Sequence, residues 1–277
     1  TGIVPGSADA IDISAGVIVN KTTGTDTVSN LSLSTSGAQL NLAASGIISS
    51  NDVTVGAGAI LDLNAANLTA GVSVLNLGQL ISKSSSTFVP LFTNDGILDI
   101  ESGTSTINNP GANSTSFINA MTGVLTLRGT FSGGNAELIM ANGFTNDGTI
   151  TLDNADSSFR YQTLTVNSEG DAGQTYGTLT NAGTISATQT GGGLATHSIN
   201  ANIINTGMID IDATATVIAT TFDTSDGDID VASGNTLYLD STTTTIGTST
   251  NLTGLGTIDL LGEQTVNFAS AYTITGT

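Results

Sequence analysis

Phe92-Thr-Asn-Asp-Gly-Ile-Leu-Asp-Ile100 and Phe144-Thr-Asn-Asp-Gly-Thr-Ile-Thr-Leu152 are two nearly identical phrases in this chain. Related phrases begin at Leu179 and Ile203, and looser ones begin at Val74 and Leu252. Apolar residues, the asparagine and the glycine occupy every second position, which is the period of a strand with one buried face. The central Asn-x-Gly predicts a corner with a left-handed backbone, which Gly and Asn tolerate. One strand and one corner, repeated, predict a solenoid.

The spacing of the repeats indicates what kind of solenoid this is. The glycines that anchor them recur at steps of 18 to 35 residues, at Gly37, Gly58, Gly78, Gly96, Gly123, Gly148, Gly183, Gly207, Gly234 and Gly256. Such steps suit one turn of short strands and corners, whereas their irregularity argues against a hexapeptide or nonapeptide type. Because no stretch has a capped helical pattern, we predict no helix of note. We therefore predict an all-β parallel β-helix of about ten to twelve irregular coils, with residues 1–277 forming one segment.

The composition agrees with a slender core. Hydrophobic residues make up 38% of the chain and aromatic residues only 4%, with 34 glycines and three prolines. A narrow interior of stacked Leu, Ile, Val and Ala fits these values better than a globular core does.

The charge excludes several classes of partner. The chain has 4 Lys and Arg against 23 Asp and Glu, a formal net charge of −19. Nucleic acids and anionic membranes both require cationic contacts, so we expect neither as a partner. Charged residues are only 10% of the chain, so solubility rests on Thr, Ser and Asn, which is typical of extracellular proteins. No apolar run approaches the roughly 18 residues of a membrane span.

Two further features suggest export. The chain has no cysteine, so it depends on its fold for stability and can be exported unfolded without a crosslink. It begins at Thr1 without Met or an apolar leader, and it ends in mid-pattern at Thr277. We expect an excerpt from a longer protein, with any signal peptide removed or lying outside this segment.

The asparagines of the repeats allow two interpretations. Asn94, Asn146, Asn181 and Asn205 lie at the same point of their phrases. Their amides can stack into a hydrogen-bonded ladder at a corner, or each asparagine can merely permit the turn. The sequence leaves both interpretations open.

Two long steps indicate excursions from the scaffold. The step from Gly148 to Gly183 contains Phe159-Arg-Tyr161, and the other runs from Thr104 to Met121. Loops that leave a regular scaffold often hold binding residues. A longer coil with no partner is the interpretation we favour.

The residues that carry chemistry do not form a catalytic pattern. The cations are Lys21, Lys83, Arg128 and Arg160, with no two in one repeat, and the one imidazole is His197. β-Helix enzymes that cleave polysaccharides need paired carboxylates, and basic residues as well where the substrate is acidic. The signature motifs of the pectin-degrading family are also absent. We predict no enzymatic activity and no catalytic or cofactor-binding residue, and we expect His197 to be a solvated loop residue.

The densest acidic cluster is Asp223, Asp226, Asp228 and Asp230. Calcium prefers such oxygen ligands, so calcium binding is one interpretation. However, Gly227-Asp-Ile-Asp-Val231 alternates as a strand does, with Asp facing outward, and no known calcium-loop pattern is present. We favour a solvated face and predict no metal site.

The recurring Asn-x-Gly-Thr-Ile, on a cysteine-free background rich in Ala, Gly, Thr and Asn, resembles one known group of proteins. These are the passenger regions of autotransporters and the filamentous-haemagglutinin-like surface proteins of Gram-negative bacteria, and the resemblance covers most of residues 30–265. It implies a right-handed β-solenoid that is exported and acts in adhesion, biofilm formation or cell contact. The implied partners are surface proteins, glycans or copies of itself. No transporter barrel, protease triad or receptor-binding head is visible, so no functional residue is carried over.

Three functions follow, in order of preference. The first is a stalk segment of a bacterial cell-surface adhesin, a stiff spacer that presents binding sites. The second is a self-assembling surface-layer or filament subunit bridged by divalent cations. The third, and least favoured, is a polysaccharide-degrading enzyme.

Overall fold

The chain is built from β-strands that pair in parallel. The computed structural model describes residues 8–64, 67–83, 85–108, 117–130, 133–156, 159–168, 175–193 and 195–269, and these ranges contain no helix. The strands are β1 (Ala10–Ile13), β2 (Ile18–Thr27), β3 (Asn30–Leu33), β4 (Gln39–Val55), β5 (Ile60–Leu63), β6 (Asn67–Asn76), β7 (Gln79–Ser82), β8 (Thr87–Asn94), β9 (Ile97–Ile100), β10 (Gly103–Ile107), β11 (Phe117–Asn119), β12 (Val124–Gly129), β13 (Ala136–Met140), β14 (Phe144–Asn146), β15 (Thr149–Asn154), β16 (Arg160–Val166), β17 (Thr178–Asn181), β18 (Thr184–Thr188), β19 (Ala195–Asn200), β20 (Asn202–Asn205), β21 (Met208–Ile211), β22 (Ala215–Thr224), β23 (Asp228–Val231), β24 (Thr236–Ile246), β25 (Leu252–Gly254), β26 (Thr257–Leu260) and β27 (Thr265–Phe268).

The strands form three faces that the chain visits in turn. Face 1 contains β11, β14, β17 and β20, face 2 contains β12, β15, β18 and β21, and face 3 contains β13, β16, β19 and the first half of β22. Each strand pairs in parallel with its equivalent one coil further on; for example, Thr149 pairs with Thr184 and Thr184 pairs with Met208. This is a β-solenoid of about 10 turns, so the predicted all-β parallel β-helix is confirmed. Its right-handed winding stays a prediction.

Some strands continue round a corner without interruption. The longest, β4, supplies residues to all three faces, and β22 and β24 each cover face 3 and then face 1. In the first coils the change of direction coincides with register shifts between Lys21 and Thr23 and between Ser50 and Asp52.

The core is made of rows of like side chains stacked in register. On face 2 the inner row is Leu40, Leu61, Leu80, Leu98, Leu125, Ile150, Ile185, Ile209 and Ile229, all of them buried. Stacked strands set a fixed spacing of about 4.8 Å, so similar side chains pack on one another without voids. The aliphatic interior predicted from composition is therefore present.

A column of phenylalanines fills the middle of the rod. The rings of Phe88, Phe92, Phe117 and Phe144 follow one another at centroid distances of 5.7, 5.4 and 5.2 Å. The last two contacts are edge to face, an arrangement that aromatic rings favour. Four of the eight phenylalanines are thus concentrated in one part of the core.

The glycines of the repeated phrase are required for close packing of successive coils, and the left-handed backbone predicted for them was wrong. The glycines of the Asn-x-Gly phrases do not have a left-handed backbone. Positive φ values occur outside those phrases, for example at Gly37, Gly58 and Gly234, with 82°, 74° and 84°. Successive coils approach very closely at the corner between faces 1 and 2. A Cβ atom on Gly183 would lie 2.0 Å from the Gly148 carbonyl oxygen, and one on Gly207 would lie 2.1 Å from that of Gly183. The close approach of backbone to backbone excludes any side chain there.

We predict that Gly183→Ala destabilises the protein by about 3 kcal/mol, because the new methyl group must push two coils apart. The control is Gly234→Ala, where φ is 84° but the space around the Cβ position is open. That variant should lose about 1 to 2 kcal/mol from the left-handed backbone alone. Urea denaturation followed by circular dichroism measures both, and an equal or smaller loss for Gly183→Ala would contradict the close-approach argument.

Candidate functional site

A ladder of buried asparagines runs along the corner between faces 1 and 2. The Nδ2 atom of each donates to the Oδ1 atom of the next at 2.6 to 2.8 Å. The members are Asn76, Asn94, Asn119, Asn146, Asn181 and Asn205. Of the two interpretations that the sequence left open, the structure shows the ladder, and the ladder also includes Asn76 and Asn119. Asn119 was missed because its phrase reads Asn119-Ala-Met-Thr-Gly123 and lacks the Asn-x-Gly spacing.

The second hydrogen of each amide also has an acceptor. Asn119 Nδ2 donates to the Thr149 carbonyl at 3.0 Å, and Asn181 Nδ2 donates to the Met208 carbonyl at 3.1 Å. The asparagine side chains are at most 1% exposed, so a missing partner would leave a buried polar group unsatisfied. All donors point toward the C-terminal end, and hydrogen bonds aligned in this way polarise one another.

The ladder has defined ends within the same inner row. Before Asn76 the row is apolar, with Val55 in the preceding coil, and the Oδ1 atom of Asn76 has no donor among the described residues. At the other end Asn205 donates to Thr224 Oγ1 at 3.1 Å, and Thr224 donates to the Gly227 carbonyl at 3.0 Å. A hydroxyl therefore terminates the ladder and satisfies its last donor.

We predict that Asn146→Ala destabilises the protein by about 3 kcal/mol, since it removes the acceptor of Asn119 and the donor to Asn181. The control, Asn76→Val, removes the end member and continues the apolar row from Val55. Its cost should be about 1 kcal/mol or less, because only one bond within the ladder is lost. Denaturant unfolding compares the two, and similar losses would show that the ladder does not act as a continuous chain.

The corner between faces 2 and 3 carries long connections in three successive coils, and we call it the loop corner. These connections are residues 130–135, 155–159 and 189–194. The coils on either side turn the same corner in residues 101–102 and 212–214. The predicted excursion between Gly148 and Gly183 is divided between the loop corner and the connection from β16 to β17, of which residues 169–174 lie outside the described residues. The enlarged connections of the neighbouring coils were not predicted. The other predicted excursion, Thr104 to Met121, lies in part outside the described residues.

Asp153 fastens two coils together at the loop corner. Its Oδ1 atom accepts hydrogen bonds from Thr188 Oγ1 at 3.1 Å and from the Thr190 amide at 3.0 Å. Its Oδ2 atom accepts one from Thr190 Oγ1 at 2.7 Å. This carboxylate is buried and holds the next loop in place, so it is structural here.

His197 is not the solvated loop residue that the sequence predicted. It lies in β19, fully buried, in an inner row of face 3 that contains Ala136, Gln162, His197 and Ala215. Strand alternation turns it inward, and the small alanines on either side leave room for the two long side chains. No side-chain nitrogen or oxygen of Gln162 or His197 forms a hydrogen bond of normal geometry with the described residues. Burial lowers the pKa of His197 to about 4, although the Asp153 carboxylate and the Thr188 backbone favour the protonated ring.

We predict that acidification weakens the fold through His197. The folded-state pKa of about 4 lies below the ordinary 6.5, so the unfolded chain takes up the proton first. Stability should fall by about 3 kcal/mol between pH 6.5 and 4, with no effect of this group above that window. His197→Leu should lack this component. The pH dependence of the difference in unfolding free energy between the two proteins measures it and cancels most carboxylate effects; a pH-independent difference would contradict the assignment.

Two of the cations that are scattered in the sequence form ion pairs with carboxylates on or beside face 2. Lys83 Nζ contacts Asp62 Oδ2 at 2.6 Å, while Arg128 pairs with Asp99 and, at 3.5 Å, with Glu101. The hydrogen bond to Asp62 raises the pKa of Lys83, and burial raises the pKa of Asp99 against the opposing effect of Arg128. These cations neutralise carboxylates of neighbouring coils, and their arrangement is that of a structural ion-pair network.

The acidic cluster is divided between two faces. Asp228 and Asp230 lie in β23 on face 2 and face outward, with Ile229 and Val231 buried, as the alternation predicted. Asp223 lies on face 1, where its Oδ1 atom accepts a hydrogen bond from the Ser225 amide at 2.9 Å. No group of three His, Cys, Asp or Glu residues in the described ranges is placed to hold a metal ion.

Comparisons with known proteins add no relative. No protein-family model, no curated protein and no solved structure matches this chain. Within the described residues, no helix has the length and apolar character needed to cross a membrane. The class that the structure itself defines is that of a β-solenoid repeat protein.

Proposed function

We propose that this chain is a stalk segment of an exported bacterial cell-surface adhesin, in which it acts as a stiff spacer. The observation that carries the proposal is the uninterrupted buried ladder from Asn76 to Asn205, in register with the aliphatic rows beside it. Such bonds run along the rod axis, so bending or stretching the rod strains many of them together. A rod of this kind resists bending and stretching, so it holds whatever it carries at a fixed distance and orientation.

The geometry supplies reach in regular increments. Each coil adds about 4.8 Å to the rod, and each contacts mainly its two neighbours. A spacer can therefore change length by whole coils without altering the packing of the others. The glycine corner makes this interchange simple, because most coils in the ladder region turn it with the same short Asn-x-Gly segment.

The composition supports a place outside the cell. The net charge of −19 limits nonspecific association, and the absence of cysteine suits a chain that crosses a membrane before it folds. The ion pairs of Lys83 and Arg128 serve the scaffold, so the proposal assigns them no part in catalysis.

We predict that the adhesive function of the full-length protein depends on coil number more than on coil identity. Deletion of residues 79–123 removes two coils between equivalent glycines and shortens the rod by about 10 Å. Adhesion of cells to a receptor-coated surface should fall, while the amount of protein on intact cells, measured by antibody labelling, stays the same.

The matched control restores length with a different sequence. A second copy of residues 184–227, which form two coils between Gly183 and Gly227, is inserted in place of the deleted segment. Adhesion should recover in this variant. Failure to recover despite normal surface labelling, or labelling confined to the cell interior, would reject the spacer proposal.

A further inference from the structure

Phe159 and Tyr161 form an exposed aromatic pair at the loop corner. Their ring centroids are 5.1 Å apart and their planes are inclined by 80°. The side chains are 48% and 45% exposed in a chain with only eight Phe, four Tyr and no Trp. Within the described residues, the other ring contacts are among phenylalanines of the core. Both rings expose apolar surface to water, and a ligand that covers this surface gains favourable apolar contact.

The pair is held in place by the neighbouring coil. Arg160, between the two aromatic residues, donates from Nε to the Thr130 carbonyl at 3.0 Å and from Nη1 to the Phe159 carbonyl at 3.1 Å. The Tyr161 amide donates to Asn135 Oδ1 at 3.0 Å. The rings are therefore attached to a fixed backbone, which lowers the entropy lost on binding.

A row of hydroxyl groups continues from the pair along the rod. Tyr161 is paired with Thr196 in the next coil. In the two following coils, Thr214 and Thr236 come directly before Ala215 and Leu237, which continue the neighbouring row from His197. The Thr236 amide donates to Thr214 Oγ1 at 3.2 Å, which places these two side by side. Coils about 4.8 Å apart give a spacing close to the length of one sugar ring in an extended chain.

We propose that Phe159, Tyr161 and the threonine row form a binding site for a neutral glycan built of pyranose rings. A pyranose has an apolar face of C–H groups, which stacks on an aromatic ring, and a rim of hydroxyls, which bond to threonine side chains. Binding sites generally combine an apolar platform with a few polar groups in this manner.

Other occupants fit less well. An acidic glycan is repelled by the net charge of −19, and the guanidinium of Arg160, the cation between the two ring residues, is engaged by the Thr130 and Phe159 carbonyls. A stable protein interface buries about 1,200 Å² or more, whereas two partly exposed rings suit one or two sugar units. The proposal rests on the proposed function in one respect: a cell-surface location is what exposes the site to glycans. The binding itself can be measured with the purified protein.

The test measures binding of the purified chain to cellohexaose, xylohexaose, mannohexaose and laminarihexaose, with hexagalacturonate as the acidic comparison. Tyrosine fluorescence and isothermal calorimetry follow binding, and Tyr161→Trp serves as a fluorescent reporter that retains the ring. At least one neutral hexamer should bind. Phe159→Ala with Tyr161→Ala should weaken that binding at least tenfold, whereas Tyr161→Phe should change it less than threefold.

The control is Leu91→Ala, which removes a side chain that is 48% exposed on face 1 and should leave binding unchanged. Circular dichroism confirms that each variant is folded. Absence of binding to every neutral hexamer, preference for hexagalacturonate, or full binding by the double alanine variant overturns the proposal. Because the coil-deletion experiment leaves Phe159 and Tyr161 in place, failure of the spacer function and failure of glycan binding are separate results.

Discussion

The contact between successive coils at the asparagine–glycine corner is the constraint on which the rest of the rod depends. Strands on three faces can pair in register only if the corners between them stack at the same spacing. At this corner glycine lets one backbone lie directly on the next, and the asparagine amides bond along the axis. Close approach and buried hydrogen bonds therefore act together at this corner from Asn76 to Asn205.

Most coils of the ladder region turn this corner with the short Asn-x-Gly segment, and the larger variation lies at the other two corners. The corner between faces 2 and 3 expands in three neighbouring coils, and the insertions leave the inner rows in register. Asp153 and Arg160 then bind one loop to the next and convert separate insertions into a continuous surface. This is how a repetitive scaffold acquires a local site: the rows supply rigidity, and one corner supplies different chemistry.

Gln162 and His197 are buried polar residues that do not recur from coil to coil. Gln162 and His197 occupy inward positions that are apolar or small in neighbouring coils, such as Ala136 and Ala215. The strand pattern dictated that they point inward, but no neighbour in the described part of the chain forms with them the hydrogen bonds that members of the Asn ladder form with one another. Polar groups in a solenoid core are thus stable when the same residue recurs in each coil, and exceptional when it does not.

By itself the sequence determined the strand period, the absence of helix in the described residues and the equivalent positions of Asn94, Asn146, Asn181 and Asn205, because these follow from local alternation and from recurrence. It left open whether those asparagines bond to one another. It did not determine that Asn119 belongs to the ladder, that the motif glycines are needed for close approach, that His197 is buried, or that Phe159 and Tyr161 meet at an enlarged corner. Those features depend on which residues lie one coil apart. Since coil length varies from step to step, only the tertiary structure decides which residues are stacked.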